Sequence, residues 1–256
     1  MDYMNSVFRK LTGQNLLFHL KYNFLIVPTR KIRRLKVRFS YAYSRYLDSR
    51  RTIVPRRLLI EIQAGSMGYE YRGIPCAKNP FDLAIYLKLL WDLKPRTIVE
   101  IGSAAGGSGQ FFSDQSALFG LGTMVYSFDI NRVKGMDSEN LKFLHGDVHD
   151  LASSALPAIL GTIDGPLLVV EDGPHTYEGC QAALRFFHPH LKPGDHIVVE
   201  DGNLRDLGYL SYEDGVNRAV REFLNSHPED YEIRFDLCDT FGQNVTWNTD
   251  GYLKRL

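Results

Sequence analysis

The chain has 256 residues, 44% of them hydrophobic, enough for one α/β domain with a full core and an extension. Its 30 bases balance its 30 acids, and its three cysteines (Cys76, Cys180 and Cys238) lack paired spacing. That excludes a disulfide framework and a C-x-x-C metal site, and points to structural thiols in a reducing compartment. No apolar run approaches a membrane span, and the first apolar stretch is broken by His19, Lys21 and Asn23, so no secretory pattern appears and the cytoplasm is the expected location.

The neutral total hides an asymmetry. Residues 1–57 hold 14 Lys/Arg against Asp2 and Asp48, a net of +12, and the rest carries −12. Residues 1–57 therefore read as a basic extension and 58–256 as the catalytic body. Within the extension, Ile32, Leu35, Phe39, Tyr43 and Tyr46 fit a helix stripe, although LKVRFSYAY (35–43) also alternates as a strand would. Helix is favoured, because basic residues continue on both sides.

From residue 80 the signals alternate. PFDLAIYLKLLWDLKP (80–95) places Leu83, Leu87, Leu90 and Trp91 at helical spacing. Strands are predicted at 97–101, 124–129, 141–145, 167–170, 196–199, 231–237 and 244–247, and helices at 108–119, 150–160, 176–191 and 213–226. This alternation predicts a seven-stranded, mostly parallel, Rossmann-like methyltransferase sheet with helices on both faces.

The most informative segment is TIVEIGSAAGGSG (97–109). A strand ends in Glu100 and turns through Gly102, Ser103, Gly107 and Ser108 into a helix, the corner where α/β sheets meet nucleotides. An acid there repels a pyrophosphate and suits the cationic S-adenosylmethionine. The glycine spacing fits a dinucleotide pattern poorly.

Acids recur at later strand ends: Asp129, Asp172 and the pair Glu200–Asp201, with Asp147 beside the same edge. Asp129 suits a ribose diol and Asp147 the adenine amino group. Asp172, Glu200 and Asp201, without a His/Cys cluster, read as a hard-cation site, Mg²⁺ before Zn²⁺. Adjacent strand residues point to opposite faces, so Glu200 and Asp201 share a cation only if the chain already turns there. Glu171 is a substitute candidate for Asp172. His175, three residues after Asp172, is placed to act as general base. Segment 203–214 is the expected lid over the acceptor, with Tyr209 and Tyr212 for stacking on a sugar face.

YRGIPCAKNPFDLAIYLKLLWDLKPRTIVEIGSAAGGS, then VVEDGPHTYEG, ALRFFHPHLKPGDHIVVEDGN, AVREFLNSHP and GYLKRL, together resemble the cephalosporin hydroxylase family over roughly residues 70–256. Despite its name, that family has the fold of S-adenosylmethionine-dependent methyltransferases. Related macrolide and rhamnosyl O-methyltransferases of natural-product pathways share the arrangement. The resemblance implies Mg²⁺-dependent methyl transfer to a hydroxyl, often on a sugar. The family's metal acids fall on Asp172, Glu200 and Asp201, and its base on His175. Pro174 stands where relatives often have an acid. Two other classes remain open. One is a non-catalytic cofactor-binding subunit of an oxygenase or tailoring complex, and the other a nicotinamide oxidoreductase.

A small-molecule or glycan acceptor is the expected partner. For the basic extension three partners compete: another subunit in a homo-oligomer, an anionic membrane surface, and nucleic acid. The oligomer is favoured because it accounts for both halves of the charge asymmetry, and no nucleic-acid motif accompanies the charge.

Overall fold

The computed structural model describes residues 50–256 except 164 and 213. The helix expected at 32–46 lies outside the described residues.

Helix α1 (Arg56–Met67) leads to a short hairpin of β1 (Glu70–Tyr71) and β2 (Ile74–Pro75). Helix α2 (Pro80–Leu93) starts where Asn79 accepts the Phe81 N–H at 2.9 Å and Pro80 pre-sets the first turn. It ends on Lys94 in the left-handed conformation. The alternation that follows builds one seven-stranded sheet. Its strands are β3 (Thr97–Ile101), β4 (Met124–Asp129), β5 (Leu141–His145), β6 (Leu167–Glu171), β7 (His196–Val199), β8 (Tyr231–Ile233) and β9 (Tyr252–Arg255).

The strand order is β5-β4-β3-β6-β7-β9-β8. The first five strands run parallel, and β9 pairs antiparallel with both β7 and β8. Strands β3, β6 and β7 are buried along their whole length, as strands covered on both faces must be. The covering helices are α3 (Gly107–Leu118), α4 (Leu156–Leu160), α5 (Tyr177–Phe187), α6 (Leu204–Leu207), α7 (Gly215–Ser226) and α8 (Phe235–Cys238). The chain moves outward from β3 through β5 and then returns to β6 on the other side. The carboxyl ends of β3 and β6 therefore flank the reversal of strand order, where open α/β sheets bind ligands.

Three expectations need correcting. Residues 244–247 are not a strand. Their polar groups are instead taken by α2, the Thr246 hydroxyl and Trp247 N–H both donating to the buried Asp82 carboxylate. The seventh strand is β9, whose Lys254 and Arg255 face Glu232 and Asp230. The strand expected over 231–237 stops at Ile233, because the Leu237 N–H bonds back to the Arg234 carbonyl and opens α8. On α2 the buried face is Asp82, Ile85, Tyr86, Leu89 and Leu90, and Trp91 is 56% exposed. That helix is apolar on several sides, so periodicity alone misplaces its inner face. No helix among the described residues is long and apolar enough to cross a membrane.

Candidate active site at the strand ends

The Gly-rich turn after β3 is held by its own polar chain. Glu100 is fully buried, and its Oε2 accepts the Ser127 hydroxyl. Ser127 in turn lies 2.6 Å from the Ser103 hydroxyl, and Ser108 also bonds Glu100. The other Glu100 oxygen, Oε1, is buried without a hydrogen-bond partner. Burial raises the Glu100 carboxyl, against the pull of Lys78, Ser108 and Ser127.

Asp129 sits across the turn. Its Oδ2 accepts the Ala104 N–H at 2.9 Å and its Oδ1 the Asn131 N–H at 2.7 Å. Asp147 is exposed beyond β5 on the same edge, and caps the next turn by accepting the His149 N–H at 2.9 Å.

The glycines chiefly bring segments of chain together. At Gly102 (φ +103°) a Cβ would lie 1.9 Å from the Asp172 carbonyl oxygen. At Gly107 it would lie 2.3 Å from the Pro75 carbonyl. Only glycine lets the β3 turn close on both β6 and the loop before α2. The cofactor-side and metal-side candidates are joined at Gly102 and Asp172.

On the metal side, Asp172, His175 and Asp201 come together, with one ligand atom from each lying within 4.8 Å of the others. His175 Nε2 is 3.3 Å from Asp201 Oδ2 and 3.9 Å from Asp172 Oδ1. Strand β7 stops at Val199, but the Glu200 N–H still donates to the Glu171 carbonyl at 2.9 Å, and the chain turns at Asp201 itself, at φ +62°. His175 is also left-handed, at φ +54°, a sparsely populated conformation for a residue with a Cβ.

Glu200 is placed differently. It is buried, with Oε2 2.6 Å from Lys78 Nζ and Oε1 accepting the Tyr86 hydroxyl at 2.5 Å. Lys78 also reaches Asp172 Oδ2 at 2.5 Å. Glu171 has its oxygens on the Gly173 N–H and the Cys180 thiol.

Lys78 and Tyr86 are site residues that the sequence reading missed. Lys78 lies 94 and 122 positions from its two partners, and nothing in IPCAKNP marks it as buried.

The electrostatics follow from burying acids together. Burial pushes the Asp172 carboxyl up to about 6, with Lys78 and His175 opposing, and it also raises Glu200 and Asp201. Burial lowers His175, but Asp201, Asp172, Glu171 and Glu200 outweigh it and hold the imidazole above its ordinary value. Lys78 is likewise held well above its usual range by Asp172, Glu200 and Glu100, despite burial. Asp172 and Asp201 offer carboxylate oxygens facing one imidazole, a donor set that fits a hard divalent cation. Glu200 joins that set only by exchanging its bond to Lys78.

A model of the rhamnosyl O-methyltransferase/CmcI family matches residues 64–256. The rhamnosyl O-methyltransferase of Mycobacterium leprae (strain TN) is 29% identical over 197 residues, covering 72% of this chain and 82% of that protein. The rhamnosyl O-methyltransferase of Mycobacterium tuberculosis is 28% identical over 194 residues, covering 72% and 77%. Among solved structures, CmcI with Mg and SAM is similar at a TM-score of 0.56 and 26% identity, over 74% of this chain and 77% of that one. An apo structure of CmcI shares the fold at a TM-score of 0.58 and 24% identity, over 80% and 88%.

Proposed function

The chain belongs to the rhamnosyl O-methyltransferase/CmcI family, and from that premise we propose that it is an enzyme that uses S-adenosylmethionine and a divalent cation, Mg²⁺, to methylate a sugar hydroxyl. The observation that carries this reading is the convergence of Asp172, His175 and Asp201 beside the acid-ended turn of β3.

Glu100, Gly102, Ser103, Gly107, Ser108, Asp129 and Asp147 would line the cofactor's path along the strand ends. The bonds from the Ser127 hydroxyl to Glu100 and from the Ala104 and Asn131 N–H groups to Asp129 support an ordered turn there. The cofactor supplies a methyl group on a sulfonium, a good leaving group. Asp172 and Asp201, with Glu200 behind them, would hold the cation, which supplies Lewis-acid polarisation of the acceptor oxygen.

The chain's own work lies with the weak partner, the alcohol. His175 Nε2 takes the hydroxyl proton, and Asp201 and Asp172 stabilise the imidazolium that results. Holding acceptor and methyl donor in line removes the entropic part of the barrier, on the order of 7–11 kcal/mol.

The test is mass analysis of p-nitrophenyl α-L-rhamnoside after incubation with enzyme, S-adenosylmethionine and Mg²⁺. The expected product is heavier by one CH₂, a methyl group having replaced the hydroxyl hydrogen, and is lost in excess EDTA. Full turnover in EDTA removes the cation from the mechanism. Binding of S-adenosylhomocysteine without transfer to any sugar favours a non-catalytic subunit instead.

A further inference from the structure

Residues 50–59 lie upstream of the part matched by the family model, yet they are bonded into the loop that follows Glu200 and Asp201. The Arg50 carbonyl accepts Arg205 Nη2 at 2.6 Å. The Asp206 carboxylate, 7% exposed, takes Arg51 Nη1 at 3.1 Å and the Thr52 N–H at 3.2 Å. Arg56 Nε donates to the Leu207 carbonyl at 3.0 Å. Leu59 packs with Leu204 and Leu207 in a small buried cluster, and Val54 and Tyr212 pack against it.

The turn after α6 is shaped to this contact. Gly208 sits at φ +76°, and a Cβ there would come within 3.2 Å of Arg56 Nη2. Helix α6 spans four residues, too few to hold itself. What it delivers is Tyr212, half-buried, with its ring centroid 6.4 Å from that of His175.

We propose that Arg50–Leu59 is a strap that positions the acceptor. It clamps the 203–212 loop so that Tyr212 forms the wall beside His175 against which a sugar ring lies, and Arg56 is the positioning residue that sets acceptor affinity. The proposal rests on the sugar O-methyltransferase reading above. An aromatic face covers the apolar C–H face of a sugar while leaving its hydroxyls to the acids. His175 follows β6, and the base of the loop is anchored apart from the strap, the Asn203 N–H donating to the Trp247 carbonyl at 2.9 Å and the Leu204 N–H to the Asp201 carbonyl at 3.2 Å. Loosening the strap therefore weakens acceptor binding and leaves the bound reaction alone.

Arg56 is exposed, so Arg56→Ala leaves the core intact. Three readouts apply to the full chain: hydrogen exchange over 203–212, calorimetric affinity for S-adenosylhomocysteine, and KM and kcat with p-nitrophenyl α-L-rhamnoside. The variant is expected to exchange faster over 203–212 with unchanged S-adenosylhomocysteine affinity. KM should rise about tenfold, the scale of one lost hydrogen bond and the order it imposed, while kcat stays within about twofold. Tyr212→Ala should repeat the rise in KM.

Unchanged exchange in Arg56→Ala overturns the strap. Faster exchange with an unchanged KM, or a fall in kcat at constant KM, overturns its role toward the acceptor. If the wild type methylates no rhamnoside, the sugar reading fails, and the strap stands or falls on the exchange result alone.

Discussion

His196 shows how one buried side chain ties stability to pH. It is 4% exposed on β7, with Nδ1 donating to the Gly194 carbonyl at 2.9 Å and Nε2 accepting from Arg234 Nη1 at 3.0 Å. Arginine only donates, so the ring is neutral in this arrangement. Burial, and then the Arg234 charge, lower its pKa from 6.5 to about 4. The unfolded chain therefore binds this proton more readily than the folded one. The stability from the neutral ring is complete above about pH 6.5 and is lost as pH falls towards 4, by up to about 3 kcal/mol. Asp172 and Asp82, raised to about 6 and about 7, act in the opposite direction as pH falls. The contribution is isolated by comparing urea unfolding of wild type and His196→Gln between about pH 7.5, above the unfolded pKa, and about pH 4.5, where most of the change has occurred. Wild type should lose more stability than the variant on acidification. Parallel pH dependences would remove His196 as the cause. At this scale the acids and His175 were legible, because strand ends announce them. Lys78 was not, because its burial depends on two carboxylates far away in the chain.

At the scale of elements, the buried parallel strands were the most legible. Strands β3, β6 and β7 are covered on both faces, so their sequences are nearly continuous apolar runs bounded by turns. The far edge was harder. Strand β9 carries Lys254 and Arg255, which sequence reads as solvated, but acids on and beside β8 accept them. The NVTW segment looks like a strand because it is buried, yet its burial serves the Asp82 network. The segment 150–160 divides into a 3-10 stretch at Val148–Ser153 and α4, with Asp150 at a non-helical φ of −144° between its turns. Tyr212, expected over the acceptor, stands with its ring centroid 6.4 Å from that of His175. The bonds of Arg51 and Arg56 to the 203–212 loop were not legible, because arginines in a basic run carry no mark of which carbonyl or carboxylate they will meet.

At the scale of the whole molecule, Arg50 is the first described residue of the basic extension, and it is buried in the body. This residue is 5% exposed and reaches Asp239 at 2.6 Å and Asp250 at 2.8 Å, with its guanidinium 4.4 Å from the Phe235 ring centroid. Removing residues 1–49 leaves these bonds, whereas removing 1–57 strands Asp250 in the interior. Losing one partner of a buried ion pair costs about 3–5 kcal/mol. The longer truncation should therefore melt well below the shorter one. Equal melting points would show that Arg50 adds nothing. Light scattering on the shorter truncation checks the proposal that the extension joins subunits: a drop in mass supports it. Unchanged mass with lost binding to anionic liposomes assigns the extension to a membrane surface.

The central claim is that His175, held between Asp172 and Asp201, takes the proton from a sugar hydroxyl during methyl transfer. The direct measurement is kcat for wild type and His175→Ala with saturating S-adenosylmethionine, Mg²⁺ and rhamnoside. Affinity for S-adenosylhomocysteine is checked alongside. The predicted result is a rate lower by about 10²–10⁴-fold with cofactor affinity intact. A wild-type rate in His175→Ala would contradict it, leaving the histidine a structural neighbour of the two acids.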